Sequence, residues 1–174
     1  MDPHSAFGAP SAWVCRFVPL IRAGGSVLDV AGGGGRHACY LARQGLRVEA
    51  VDRDPEALHR QEGIPGVATR VADLENGPWP YAGRRFDAVV VTNYLHRPLF
   101  PNLLAAVAAD GVLIYETFAA GNERYGRPTN PDFLLQPGEL LDLVHGRMRV
   151  TAYEDLYAED PKPAMVQRIC AVAT

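Results

Sequence analysis

Between Ser26 and Asp54 the chain reads SVLDVAGGGGRHACYLARQGLRVEAVDRD, and no other stretch restricts the fold as much. Val27, Leu28 and Val30 form the short apolar run of a strand buried on both faces. Gly32 to Gly35 follow, and a helical pattern starts near Arg36 with Ala38, Leu41 and Ala42 on one face. Gly45 stands where such a helix stops, Arg47 to Val51 reads as a second strand, and Asp52 closes it. A strand, helix and strand of this length cross over right-handed into a parallel sheet. Ligands of such sheets bind beyond the carboxyl ends of the strands, where the glycine turn and Asp52 both fall.

The spacing of the turn separates two cofactor classes. A dinucleotide fingerprint requires G-x-G-x-x-G. Begun at Gly32 it demands glycine where His37 stands, and begun at Ala31 it fails at both ends. The frame that fits is Asp29-x-Ala31-x-Gly33-x-Gly35, which resembles the D-x-G-x-G-x-G loop of class I S-adenosylmethionine-dependent methyltransferases. That resemblance implies S-adenosyl-L-methionine as cofactor. Its amino-acid tail would pass close to the backbone of Ala31, Gly33 and Gly35, where a larger side chain would intrude. Asp29 would draw the same region through charge-assisted or bridging hydrogen bonds, and Asp52 would accept both ribose hydroxyls. Ala31 replaces the first glycine, a departure that a negative φ would accommodate. The alternative is a tight turn that binds nothing; four glycines and an aspartate at two strand ends weigh against it.

A chain of 174 residues with 48% hydrophobic content is expected to form one domain, 1–174, with residues 1–22 as an arm and helix. Seventeen basic against 20 acidic residues give a net charge of -3, which makes nucleic acid an unfavoured partner although a local basic patch stays open. Cys15, Cys39 and Cys170 show neither metal spacing nor a disulfide framework, and His4, His37, His59 and His145 add no ligand pattern, so no metal is predicted. The apolar residues between Ala12 and Ile21 are too few to span a bilayer, and the start lacks a basic secretion signal. The expectation is a cytoplasmic protein without membrane attachment; its oligomeric state is not legible.

Residues 1–10 read as a loose arm, and Ser11 as the cap of a short helix carrying Trp13, Val14, Phe17 and Val18. That helix either packs on the sheet or serves as a flap over the cofactor. Further on, the pattern predicts a helix at 56–62, a strand at 67–72 ending before Asp73, and no helix between Leu74 and Arg85. It then predicts a central strand 86–92, a helix 98–109 with Val107 inward, and a strand 111–118. An irregular segment spans 119–136, and a helix spans 137–144 with Gly138 in its first turn. The last two strands, 148–157 and 164–172, have no room for a helix between them and must pair antiparallel. The result is an α/β, Rossmann-like fold: a seven-stranded, mostly parallel sheet with an antiparallel C-terminal strand and six or seven helices on both faces, as in class I methyltransferases.

Within that superfamily the chain is similar to small bacterial methyltransferases of the tellurite-resistance type. It shares the G-G-G-R loop with a following L-A-x-x-G, the thin connection after Asp73, the Gly138-Glu139-Leu140 helix start and the Tyr153-Glu154-Asp155 stretch. The resemblance assigns adenine recognition to Asp73 and Leu74, with Arg53 over the ring. It also places the transfer site at Asn93-Tyr94-Leu95-His96-Arg97, with Asn93 on the cofactor and Tyr94 and His96 as candidate catalytic groups. A histidine near its ordinary pKa can act as a base at neutral pH. Glu116, Tyr125 and Arg127 would supply a substrate-facing wall from the long loop, which otherwise reads as a solvated Ω-like loop. Trp79 reads as a surface anchor between two prolines. The expected activity is direct in-line methyl transfer to a small-molecule nucleophile. The alternatives are methylation of RNA or protein, or a catalytically inactive cofactor-binding subunit.

Overall fold

A computed structural model describes residues 7–174; expectations for residues 1–6, His4 among them, lie outside the described residues. The strands are β1 (Ser26–Val30), β2 (Arg47–Asp52), β3 (Val67–Val71), β4 (Phe86–Thr92), β5 (Val107–Phe118), β6 (Met148–Ala158) and β7 (Ala164–Ala173). They form one sheet in the order β3-β2-β1-β4-β5-β7-β6. Neighbours from β3 through β5 are parallel, while β7 runs antiparallel to both β5 and β6. The strand order reverses between β1 and β4, so the crevice of this sheet opens at the carboxyl end of β1.

Period-two alternation divides the core cleanly. Leu28, Val30, Val51, Val89, Val91, Leu113 and Tyr115 bury one face; Val27, Val48, Ala50, Ala88, Val90, Val112 and Ile114 bury the other. The second face is covered by α1 (Ala12–Phe17) through Trp13, Val14 and Phe17, and by α2 (Arg36–Arg43) through Ala38 and Leu41. The first face is covered by Leu99 and Leu103 around α4 (Phe100–Ala105) and by Leu140 and Val144 of α5 (Glu139–Val144). Where no helix follows β3, aromatic rings take its place. Tyr81 is buried edge-on to Phe86, 5.6 Å between centroids, and Trp79 packs on Tyr81 at 5.3 Å.

The helices are fewer and shorter than their sequence patterns predict. Among the described residues there are five α-helices, including α3 (Pro55–His59), and four single 3-10 turns, three of which begin with a proline at their first positions. The helix expected over 98–109 is split by this effect, with a 3-10 turn at Arg97–Leu99 and α4 only from Phe100. Val107 does not belong to that helix; it pairs with Phe86 at the start of β5. The chain then turns sharply through Asp110 (φ +58°) and Gly111, where a Cβ would lie 2.7 Å from the Ala108 carbonyl oxygen. Gly138 is the left-handed cap of α5, φ +77°, and not part of its first turn. No helix among the described residues is long and apolar enough to cross a membrane.

Candidate functional site

The turn after β1 is held from three sides. Gly32 N–H donates to the Val51 carbonyl (3.2 Å), Gly33 N–H donates to Asp52 Oδ2 (2.9 Å), and Gln61 Nε2 donates to the Gly33 carbonyl (2.8 Å). Gly33 and Gly35 have φ of +53° and +89°, and a Cβ on Gly35 would meet the Gln61 side chain at 2.5 Å. Ala31 has φ +52°, contrary to the negative value expected there. The left-handed geometry belongs to the turn, and alanine adopts it at a cost of about 1–2 kcal/mol. Beside Gly33 and Gly34 an added Cβ would meet nothing within 4 Å, so the outer side of the turn is open space.

Beneath the turn lies Asp29, fully buried, with neither carboxylate oxygen hydrogen-bonded. A Cβ on Gly32 would stand 2.8 Å from its Oδ2, so glycine keeps the carboxylate unblocked. Burial pushes the Asp29 pKa up to about 7, against the pull of the nearby Arg36 guanidinium. A carboxylate so placed gains most from a cationic donor brought in by a ligand.

A cavity of about 200 Å³ opens at the ends of β2 and β3, lined by Ala31, Asp52, Arg53, Ala72, Asp73, Leu74, Glu75 and Tyr94. Each Asp52 oxygen accepts one backbone N–H, from Gly33 and from Asp54 (2.9 Å each), which leaves each a lone pair for a hydroxyl. Asp73 is more committed. Its Oδ1 accepts the N–H groups of Glu75 (2.9 Å) and Asn76 (3.1 Å), its Oδ2 accepts the Asn76 amide (3.0 Å), and these donors lower its pKa. Only Oδ2 keeps capacity for a further donor. Tyr94 faces this cavity; burial, then the Glu75 carboxylate, raise its phenol pKa, so it is a hydrogen-bond donor here and not a base.

A second cavity of about 290 Å³ lies on the other side of the turn, with Arg36, Asn93, Glu116, Phe118 and Lys162 among its walls and residues 9–13 over it. Asn93 has φ +53°, which asparagine tolerates well, and its N–H donates to the Glu116 carbonyl (2.9 Å). Ser11 is the hub of a latch. Its hydroxyl donates to Glu116 Oε1 (2.6 Å) while accepting from Trp13 N–H (3.1 Å), and its own N–H donates to His37 Nε2 (3.1 Å). Nε2 is thus an acceptor, which leaves the proton on Nδ1 to reach Thr92 Oγ1 (3.1 Å). Burial, with a smaller contribution from Arg36, holds the His37 pKa down to about 3. Glu116 Oε2 pairs with Arg168 Nε at 2.5 Å, and Arg168 continues to Glu154 at 3.0 Å.

Of the predicted cofactor residues, Ala31, Asp52, Arg53, Asp73 and Leu74 line the first cavity and Asn93 the second, whereas Asp29, Gly33 and Gly35 lie beneath or within the turn and line neither. Of the predicted loop residues, Glu116 lines the second cavity. Tyr125 and Arg127 are exposed and line neither; the Tyr125 ring packs instead on Tyr157, 4.9 Å between centroids. His96, half-buried before the 3-10 turn, also lines neither. Sequence reasoning missed Gln61, Glu75, Lys162 and Arg168, which no motif marks. It also missed the role of His37, whose i,i+4 spacing to Leu41 on the apolar face of α2 was the available signal.

Residues 27–109 match a family model described as a methyltransferase domain. No curated protein sequence matches the chain significantly. The fold is similar to that of TehB from Haemophilus influenzae (TM-score 0.78, 16% identity, 95% of this chain and 63% of that one), so the chain spans under two thirds of that relative's length. It is also similar to a TehB-like SAM-dependent methyltransferase from Corynebacterium glutamicum (TM-score 0.69, 21% identity, 98% and 92%). A third likeness is to coclaurine N-methyltransferase solved with N-methylheliamine and SAH (TM-score 0.63, 17% identity, 83% and 49%).

Proposed function

We propose that this chain, of which residues 27–109 match a methyltransferase-domain model, is an S-adenosylmethionine-dependent methyltransferase of class I fold that methylates a small-molecule nucleophile by direct in-line transfer. The observation that carries this reading is the pair of cavities flanking one turn: Ala31, at its start, lines the first, and Arg36, at its end, lines the second. The chain's residues fit the cofactor. Asp29 offers two unpartnered buried oxygens to an ammonium, Asp52 has a free lone pair on each oxygen for a ribose diol, and Leu74 and Tyr94 supply apolar and aromatic surface for a base. When bound, S-adenosyl-L-methionine supplies a methyl on a sulfonium, whose carbon–sulfur bond breaks as the acceptor's lone pair forms the new bond.

The chain's own contribution is to position and enclose. Alignment at about 3–3.5 Å can supply roughly 7–11 kcal/mol of the barrier, so transfer to a good nucleophile needs no dedicated acid or base. Residues 9–13, fastened by Ser11 to Glu116 and His37, roof the second cavity and exclude water from it. The segment thus covers the acceptor cavity and not, as expected from sequence, the cofactor, and it also packs, since Trp13 is buried on the sheet and its Nε1–H donates to the Ile169 carbonyl (3.2 Å). The confined second cavity suits a small acceptor better than a polynucleotide, as does the net charge of -3. Calorimetry is the test. S-adenosylmethionine should bind, and Asp52→Ala should weaken it at least tenfold, each charged hydrogen bond being worth about 1.5–3 kcal/mol. Unchanged affinity in that variant refutes the ribose assignment. A screen of thiols, phenols, amines and oxyanions with methyl-labelled cofactor then identifies the acceptor atom.

A further inference from the structure

The second cavity carries chemistry that narrows the acceptor class. Much of its wall is carbon, from Trp13, Phe118, Ala158 and Val166. Its volume of about 290 Å³ is nearly twice the roughly 150 Å³ that admits a benzene ring. Of the charged side chains on its walls, Glu116 and Arg168 neutralise one another at 2.5 Å, and the remaining Glu116 oxygen is taken by the Ser11 hydroxyl. Arg36 and Lys162 remain, with the exposed carboxylate Asp160 on the same wall and the buried Asp29 within electrostatic reach of Arg36. Neither cation makes a hydrogen bond or ion pair among the described residues. Lys162 projects from the connection between β6 and β7, with its ammonium 5.5 Å from the Phe118 ring centroid. Lys162 is exposed, and that cation–π contact, about 0.5–1 kcal/mol at an exposed site, sets its compact point charge beside the apolar wall at the cavity's edge.

We propose that the acceptor is a ring-sized apolar molecule with one anionic head, the head paired with Lys162 and the ring seated against Trp13 and Phe118. A cavity wall carrying three cations, Arg36, Lys162 and Arg168, against two carboxylates, Glu116 and Asp160, disfavours an ammonium, and its carbon surface distinguishes an aromatic acid from a bare inorganic anion. The proposal rests on the reading of this cavity as the acceptor site, and the experiment separates the two.

The full chain saturated with S-adenosylhomocysteine is titrated calorimetrically with 4-hydroxybenzoate, its neutral analogue 4-hydroxybenzyl alcohol, its cationic analogue 4-hydroxybenzylamine, and inorganic phosphate. The acid should bind at least tenfold more tightly than the other three. Lys162→Met should erase most of that preference and Lys162→Arg should keep it, with affinity for S-adenosylhomocysteine unaltered in both. Equal binding of acid and alcohol, absence of binding by the acid, or a preference that survives Lys162→Met and Arg36→Met together overturns the proposal while leaving the methyltransferase reading intact. Phosphate binding as tightly as the acid overturns it too, because the apolar body then contributes nothing. Failure of the chain to take up S-adenosylhomocysteine overturns the methyltransferase reading itself.

Discussion

Asp29 is the residue on which charge and burial conflict most. With both oxygens unpartnered and its pKa raised to about 7, it is largely protonated in mildly acidic solution. A ligand whose ammonium pairs with the ionised carboxylate must therefore expel a proton below that pH. Affinity for S-adenosylmethionine should fall by up to about tenfold for each pH unit below 7, since one unit of pKa corresponds to 1.36 kcal/mol. Asp29→Asn should bind more weakly and lose that dependence; titrations at pH 5.5 to 8 measure both, and an equal slope in the variant would count against the assignment. Ala31 presents the opposite case, a strained residue with an evident remedy. At φ +52°, Ala31→Gly relieves about 1–2 kcal/mol of left-handed strain and gives back about 0.4–1 kcal/mol through the unfolded chain, a net gain of about 0–1.6 kcal/mol. Denaturant unfolding should show a small increase in midpoint; a decrease would mean that the alanine methyl packs usefully.

At the scale of elements, the site depends on short segments fastened to the sheet by polar contacts. α1 has six residues, too few to be stable alone, and its position is set by its apolar face and by Ser11. Ser11→Ala removes the cap and the bond to Glu116 together, at about 1–2 kcal/mol. Ser11→Asp restores a capping acceptor but sets a carboxylate against Glu116. If the link to Glu116 dominates, Ser11→Asp melts below Ser11→Ala; the reverse order would make the latch a cap and nothing more. The long segment after β5 is likewise closed upon itself. Arg97 holds Glu139 with a forked pair (2.6 and 2.9 Å) and also donates to the carbonyls of Asp132 and Leu134, while buried Asn122 accepts the Met165 N–H. Composition marked this stretch as irregular, correctly. What it could not disclose was that Arg97, read from sequence as part of the transfer-site motif, serves to pin that loop.

Across the whole molecule, two buried titratable groups oppose one another. The folded pKa of Asp29 is raised from 3.8 to about 7, so its stabilising contribution is complete below 3.8 and is lost as pH rises toward 7. His37 is lowered from 6.5 to about 3, so its contribution is complete above 6.5 and is lost as pH falls toward 3. Each acts by up to about 1.4 kcal/mol per pH unit, and between pH 4 and 6.5 the two slopes cancel. Asp29→Asn should therefore become more stable as pH rises through that window, and His37→Gln less stable. Unfolding midpoints at pH 4.5, 5.5 and 6.5 test this, and parallel profiles for the two variants would refute it. The seven strands, the antiparallel pairing of the last two and the sheet edge at which the glycine turn falls were legible in local sequence: apolar runs of strand length, four glycines, and aspartates at or near the ends of β1, β2 and β3; the order of the strands was not. Those features act over a few residues, where backbone sterics and period-two burial leave few alternatives. The second cavity was decided only by tertiary structure. Ser11, His37, Glu116 and Arg168 come from four separate segments and Lys162 from a fifth, and their spacing along the chain carries no trace of the hydrogen bonds and ion pair that link the first four or of the wall that Lys162 joins.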